Sequence, residues 1–135
     1  MSHEARLKAL AIDLPPVPVA HADEVPEEGR LRLLTPAGEW LMNSSYGNDP
    51  KIAAQLGPAK VHLNAKDVAR RNLAQGEVVR LSTKAGAIEL TVNISADVPE
   101  GVALAHKSRW PSLSKGESNI NILNPGLRTD IADST

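Results

Sequence analysis

The chain has no cysteine and no phenylalanine, and its 135 residues include only two Trp and one Tyr. Without cysteine it has no disulfide, thiolate zinc site, cysteine nucleophile or cysteine-held iron–sulfur cluster of its own. That absence hints at a reducing compartment, which favours a cytoplasmic location. With so few aromatics the core must be assembled from Leu, Val, Ile and Ala. Branched aliphatics suit pleated, half-buried sheets, so the balance tips towards β structure. Long apolar runs are missing too, and none approaches the roughly 18 residues that span a bilayer. Glu4, Arg6, Lys8 and Asp13 interrupt the N-terminal stretch where a signal-peptide core would lie. Charge of one sign is also lacking: fifteen basic and sixteen acidic residues leave a net charge of −1. No long-range positive field recruits nucleic acid or an anionic membrane. The four histidines, His3, His21, His62 and His106, are scattered without helical ligand spacing, so no metal site is legible.

What is present divides in two. Residues 1–29 read as a proline-rich lead-in or linker, with "LPPVPVAHADEVPEEG" disfavouring both helix and central strand. Such an approach is expected to follow something upstream. Residues 30–135 read as one compact domain with room for a single modest core. "RLRLLT" reads as a strand. "DPKIAAQLG" reads as a short helix capped by Asp49, begun by Pro50 and stopped by Gly57. "AKVHL" is a second strand, and Asn64 caps a helix over "AKDVARRN", with Asp67 where a capping box places its acid. In "VVRLSTKAGAIELTVNI" Val79 and Leu81 alternate with polar residues, as do Ile88, Leu90, Val92 and Ile94, around a Gly-bearing turn. That pattern is a β-hairpin with one buried face. "VPEG" is another turn, followed by the strand "VALAH". Six or so short strands with two small helices predict a closed or nearly closed barrel.

Between the first strand and the first helix, "TPAGEWLMNSSYGNDP" is unusually rich in uncharged hydrogen-bonding groups. The tail stretch "ESNINILN" repeats that chemistry. Either these are ordinary polar turns, their side chains bonding the local backbone, or they form a surface for a flat ligand rich in donors and acceptors.

The motifs resemble a known family. "LRLLTP", "NSSYGNDP", the run from "VHLNAKDVARRNLAQGEVVRLS" to "VPEGVALAHKSRW", and "GESNINILNPGLRTDI" follow the order of the C-terminal dinucleotide-binding domain of the molybdopterin oxidoreductases. This is the family of dimethyl sulfoxide reductase, formate dehydrogenase and nitrate reductase. The resemblance covers about residues 31–131. It implies a mainly β domain with small helices, a double-psi β-barrel of the aspartate-decarboxylase-like type. It also implies a molybdopterin guanine dinucleotide as cofactor, with molybdenum or tungsten and its ligands held by other domains of a parent oxidoreductase. The domain alone is expected to be non-catalytic and monomeric and to insert into no membrane.

Residue by residue, Thr35 matches the polar residue ending the family's first strand. Asn43, Ser44 and Ser45 match the triplet facing the pterin and its pyrophosphate. His106 and Lys107 match the end of the strand before the final loops, and Asn121 matches the Asn of "Asn-x-Leu-Thr". Two departures stand out: Pro36-Ala37-Gly38 replaces the usual Gly-Arg, and Asn124 replaces the usual Thr. A third departure is expected at the C-terminal end, where the family's last strand is missing, which leaves closure of the barrel open.

The chemistry of the residues is compatible with that assignment. A pterin edge alternates donors and acceptors, and Asn offers both on one planar amide while hydroxyls rotate to either role. A diphosphate needs positive charge or backbone amides, and "HKSRW" groups His106, Lys107 and Arg109; Arg can bind phosphate bidentately where Lys acts as a point charge. Solvated surface is the competing reading for each of the three. Trp110 either stacks on a guanine or covers the barrel end, with the second preferred. Asp130 has no preferred role. His62, within a strand, reads as a half-buried or surface histidine rather than a ligand. No Gly-Ser processing site, Asp-Thr/Ser-Gly protease motif or nucleophile elbow occurs. The rival reading is a partner- or peptide-binding barrel like the N-terminal modules of AAA ATPases, which needs an exposed apolar groove instead of the two polar sets. If other domains bury the polar face, loops 43–49 and 112–126 are expected to be mobile in the isolated domain.

Overall fold

The computed structural model of the chain describes residues 25–113 and 119–126. The lead-in up to residue 24, His3, His21 and Asp130 lie outside the described residues, as do 114–118 of the second polar loop. In chain order the elements are β1 (Arg32–Leu34), α1 (Pro50–Leu56), β2 (Lys60–Leu63), α2 (Ala65–Arg70), β3 (Val78–Ser82), β4 (Ala87–Ile94) and β5 (Val102–Leu104). Two 3-10 turns follow, η1 (Pro111–Leu113) and η2 (Ile120–Leu123).

Each helix forms where a cap permits it. The Asp49 carboxylate accepts from the amides of Lys51 (2.7 Å) and Ile52 (3.3 Å), and Pro50 occupies the first turn, where its missing N–H costs nothing. Gly57 ends α1 at φ +54°, a conformation most side chains resist. Asn64 caps α2 by accepting from the Lys66 amide, while its own side-chain N–H donates to Val98 O. That second bond ties the start of α2 to the turn before β5.

The strands form one mixed sheet in the order β1-β5-β2-β4-β3. The β3–β4 hairpin is antiparallel, with Leu81 opposite Ile88, as its alternation predicts. β2 pairs with β4 in parallel and with β5 antiparallel, and β1 pairs with β5 in parallel. The sheet curls into a half-barrel. Where six or so strands were expected, the described residues hold five, with β1 and β3 as edges. The core is aliphatic as composition required: Val61, Leu63, Val68, Ile88, Leu90, Val92, Ile120 and Leu123 pack with Ala103 and Ala105. All three aromatics, Trp40, Tyr46 and Trp110, stay on the surface.

Asp67 differs from expectation. Among the described residues it is the only buried charged or polar residue, 2% exposed. Instead of serving a capping box, its carboxylate takes the Gly101 amide (2.7 Å) and the Arg71 guanidinium (3.3 Å), with Arg70 at 3.7 Å. Arg71 reaches on to Gly29 O at 3.1 Å, and Arg70 and Lys66 both hold Glu100. The carboxylate thus fastens α2 to the Pro99–Gly101 turn from which β5 starts. Removing one member of a buried ionic set leaves desolvated partners behind. Asp67→Ala is therefore expected to cost about 3 kcal/mol of stability. Urea denaturation of the chain measures this; Glu100→Gln, at the exposed end of the same network, should change the midpoint less.

Candidate functional site

The site is assembled by the stretch that runs on from β5. Ala105 donates to Leu34 O and Lys107 to Pro36 O, so the chain beyond β5 continues the ladder along the end of β1. Ser108 then adopts φ +81°, unusual for a residue with a side chain, and turns the backbone. Past that turn Arg109 and Trp110 make separate anchors. The Arg109 guanidinium donates to three carbonyls at the end of α1, those of Gly57 (2.9 Å), Leu56 (3.0 Å) and Pro58 (3.3 Å). Burial there lowers its pKa, because desolvation disfavours the charged guanidinium. The Trp110 indole N–H donates to Ser44 O, and its ring lies where a Cβ on Gly47 would approach to 3.3 Å. Asn119, the cap of η2, donates to Arg109 O at 3.1 Å and accepts from the Asn121 amide at 3.0 Å.

Two adjoining recesses result. The first is a groove lined by Asn43, Ser44, Lys107, Arg109, Asn119 and Asn121, with Ser108, Trp110 and Pro111 completing the wall. The second is a cleft of about 280 Å³. Its walls include Leu41, Leu56, Ile88, Leu90, Ala105 and Ile120, and its polar border is Glu39, Lys60, His62, His106, Lys107 and Arg109. Lys107, Arg109 and Asn119 belong to both. Of the eight residues singled out from sequence, Asn43, Ser44, Lys107, Arg109 and Asn121 therefore line one groove, and His106 borders the neighbouring cleft. Thr35 and Ser45 line neither. Thr35 is an exposed residue just past β1, and Ser45 closes the 42–45 turn with its amide on Met42 O.

The hydrogen-bond ledger of the groove is uneven. Trp110 uses the backbone of Ser44, and Asn119 uses the backbones of Arg109 and Asn121. Among the described residues, the side chains of Asn43, Ser44 and Asn121 spend no hydrogen bond on another group. Asn43 itself sits at φ +52°, a region Asn tolerates better than most residues. The groove therefore offers free amides and a hydroxyl on walls already held by the backbone. No group of three or more His, Cys, Asp or Glu gathers to hold a metal ion among the described residues. No helix among them is long and apolar enough to cross a membrane.

Sequence reasoning did not single out Asn119 or Ser108, and it gave His62 no part in a site. Asn119 lay inside "NIN", immediately before an apolar residue, which is a capping signal. Ser108 carried none. His62 ends a polar chain that runs from Ile94 of β4 through Gln75, in the turn before β3, to Asn93 of β4. Its ring meets His106 edge-on, centroids 5.6 Å apart at 85°. Burial, the nearby His106 and Lys60 hold its pKa below the ordinary value of 6.5.

Residues 31–134 match the family described as "Molydopterin dinucleotide binding domain". The chain belongs to that family, whose cofactor is the molybdopterin dinucleotide of the molybdenum and tungsten enzymes. Among solved structures it is similar to the acetylene hydratase from Pelobacter acetylenicus, with a TM-score of 0.55 and 22% identity. The likeness covers 59% of this chain and 11% of that one, so the chain spans a small part of the larger protein's length.

Two outcomes test this geometry. A Cβ on Gly86 would come within 2.8 Å of both Cγ1 and the carbonyl oxygen of Ile122, so the hairpin turn and η2 touch without room for a methyl group. Gly86→Ala is expected to cost about 1–3 kcal/mol and to shift the amide resonances of Asn119–Leu123, an NMR measurement. His62 supplies the second. Its lowered pKa means the folded chain binds fewer protons than the unfolded one. The stabilisation is complete above the unfolded value of about 6.5 and is lost as pH falls from there through the folded value. Melting temperature should therefore fall between pH 7.5 and 5.5, and less steeply in His62→Gln, which keeps an acceptor for Asn93.

Proposed function

We propose that this chain holds one pyranopterin guanine dinucleotide at the groove, as a non-catalytic part of a larger molybdenum or tungsten oxidoreductase. In this reading residues 30–135 are the cofactor-binding unit, with the connectivity of a double-psi barrel, and residues 1–29 are its lead-in. The observation that carries the reading is the convergence of Asn43 and Ser44 with Asn121, from opposite ends of the domain, on walls shared with Lys107 and Arg109. Their unspent amide and hydroxyl groups fit a bicyclic edge of alternating donors and acceptors. Lys107, whose ammonium has no carboxylate partner among the described residues, suits the diphosphate. Arg109 serves that end as a wall, because its terminal nitrogens are committed to carbonyls.

Substrate chemistry would belong to the metal and its ligands elsewhere in the parent protein. What these residues supply is binding and orientation of the cofactor's organic part. A partner- or peptide-binding barrel is not favoured, because the family match and the polar groove both point to the dinucleotide. Thr35 and Ser45 stand outside the groove and carry no share of the reading.

Titrating the chain with purified molybdopterin guanine dinucleotide, followed by amide chemical shifts, tests the proposal. Shifts are expected at Asn43–Ser44, Lys107–Trp110 and Asn119–Asn121. Asn43→Ala and Asn121→Ala should each weaken binding about tenfold, the scale of one hydrogen bond with its desolvation. Shifts confined to the opposite edge of the sheet, or a peptide ligand moving that surface instead, would refute it.

A further inference from the structure

Each histidine of the cleft is tied to a backbone group whose hydrogen-bonding sense is fixed, His106 directly and His62 through two side-chain amides. The amide of Ile94 only donates, and it donates to Gln75 Oε1 at 2.7 Å. Gln75 therefore points its Nε2 at Asn93 Oδ1, 3.3 Å away. That leaves Asn93 Nδ2 to donate to His62 Nδ1 at 3.0 Å. His62 consequently keeps a lone pair on Nδ1 and its hydrogen on Nε2. A second proton would have to enter at Nδ1, against an NH2 group that turns over only by breaking the Gln75–Asn93 bond.

His106 is arranged the other way. Its Nδ1 lies 3.2 Å from Ala37 O, a carbonyl that only accepts, so Nδ1 carries the hydrogen and the lone pair sits on Nε2. A proton added at Nε2 leaves that bond intact. The two rings are close enough that a charge on one opposes a charge on the other. Of the pair, His106 is the one built to charge.

The remaining ionisable groups around the cleft are Glu39 from the loop after β1, Lys60 from β2, and Lys107 and Arg109 from the stretch after β5. One acid faces three cations. Neither Lys60 nor Lys107 has a carboxylate partner among the described residues. The border thus carries excess positive charge before any histidine is protonated.

From this asymmetry we propose that the cleft is an oxyanion site whose filling takes up one proton from solvent at His106 Nε2, with His62 kept neutral beside it. The anion and the added N–H then face each other, and Lys60 and Lys107 complete the charge. The proposal rests on the cofactor reading for its natural ligand, a dinucleotide diphosphate, whose chemistry is shared by free sulfate or phosphate.

The test is a titration of the full chain, labelled with 15N in its histidine rings, between pH 6 and 8.5, the range over which a histidine exchanges its proton. One arm uses sodium sulfate and the other diguanosine diphosphate, neither of which changes its own charge in that range. His62 should show an unprotonated Nδ1 and a protonated Nε2 at neutral pH, and His106 should gain its Nε2 proton when either probe binds. Where His106 is neutral, Kd should fall about tenfold for each unit of pH lowered, as uptake of one proton requires. His106→Gln should flatten that slope to less than about twofold. The ring spectra of the unaltered chain stand whether or not the variant folds.

A pH-independent Kd, a proton entering at His62, or no binding of either probe overturns the proposal. Proton-linked binding of sulfate alone supports an oxyanion site and assigns its ligand to a free anion. Groove shifts with molybdopterin guanine dinucleotide, accompanied by no proton uptake, would sink this inference and leave the cofactor reading standing.

Discussion

A single buried carboxylate determines where the site can be. Asp67 lies in a core otherwise made of aliphatic side chains, and an isolated charge there would cost several kcal/mol. Its oxygens are saturated by the Gly101 amide and the Arg71 guanidinium, which fixes the Pro99–Gly101 turn against α2. The turn sets the position of β5, and β5 is the strand that joins β1 to the rest of the sheet. Everything beyond Leu104 inherits that position. The ladder through Ala105 and Lys107, the Ser108 turn, the Arg109 fan and the Trp110 anchor all follow from where β5 begins.

The charges near the site divide by whether they are spent. Arg109 looked from its neighbours like an anion clamp, yet its guanidinium closes the end of α1, where three carbonyls lack intrahelical or ladder partners. An arginine used this way stiffens a wall, since a planar fork on three acceptors admits little rotation. Lys107 and Lys60 remain free of carboxylates among the described residues. Positive charge is thus local in a domain whose net charge is −1. Attraction for an anion would act over a few ångströms, and selectivity would come from fitted polar groups more than from long-range steering.

Local signals in the sequence were legible, and long-range ones were not. Asp49-Pro50, Asn64 and Gly57 marked both helices because capping is a matter of neighbouring residues. The alternation from Val78 to Ile94 marked the hairpin for the same reason. The parallel pairing of β2 with β4 and of β1 with β5 joins segments far apart, and no turn chemistry announces it. Asp67 occupied a capping-box position, but its partner at Gly101 lies thirty-four residues on, so the tertiary bond won over the local one. The chain from Ile94 through Gln75 and Asn93 to His62 was hidden likewise, since it depends on two strands and a turn meeting. The groove itself became visible through the resemblance of ordered motifs. Composition identified only the kind of group available.

The uneven hydrogen-bond ledger explains how an exposed polar loop can act as a binding surface at all. Ordering a free loop costs roughly 1–2 kcal/mol per residue, which a handful of neutral hydrogen bonds does not recover. Here much of that order is supplied by the protein in advance. Trp110 holds the Asn43–Gly47 turn through a carbonyl, Asn119 holds the opposite wall through two backbone groups, and η2 is pinned by Thr83 on Leu123 O. None of these anchors consumes the amide of Asn43 or Asn121 or the hydroxyl of Ser44. A ligand arriving at the groove would meet groups whose positions are already set, so that more of each contact appears as affinity. The same arrangement accounts for aromatics on the surface of a domain that has so few: Trp110 is placed where its ring packs on Gly47 and its N–H reaches Ser44, a task no aliphatic side chain of the core could perform.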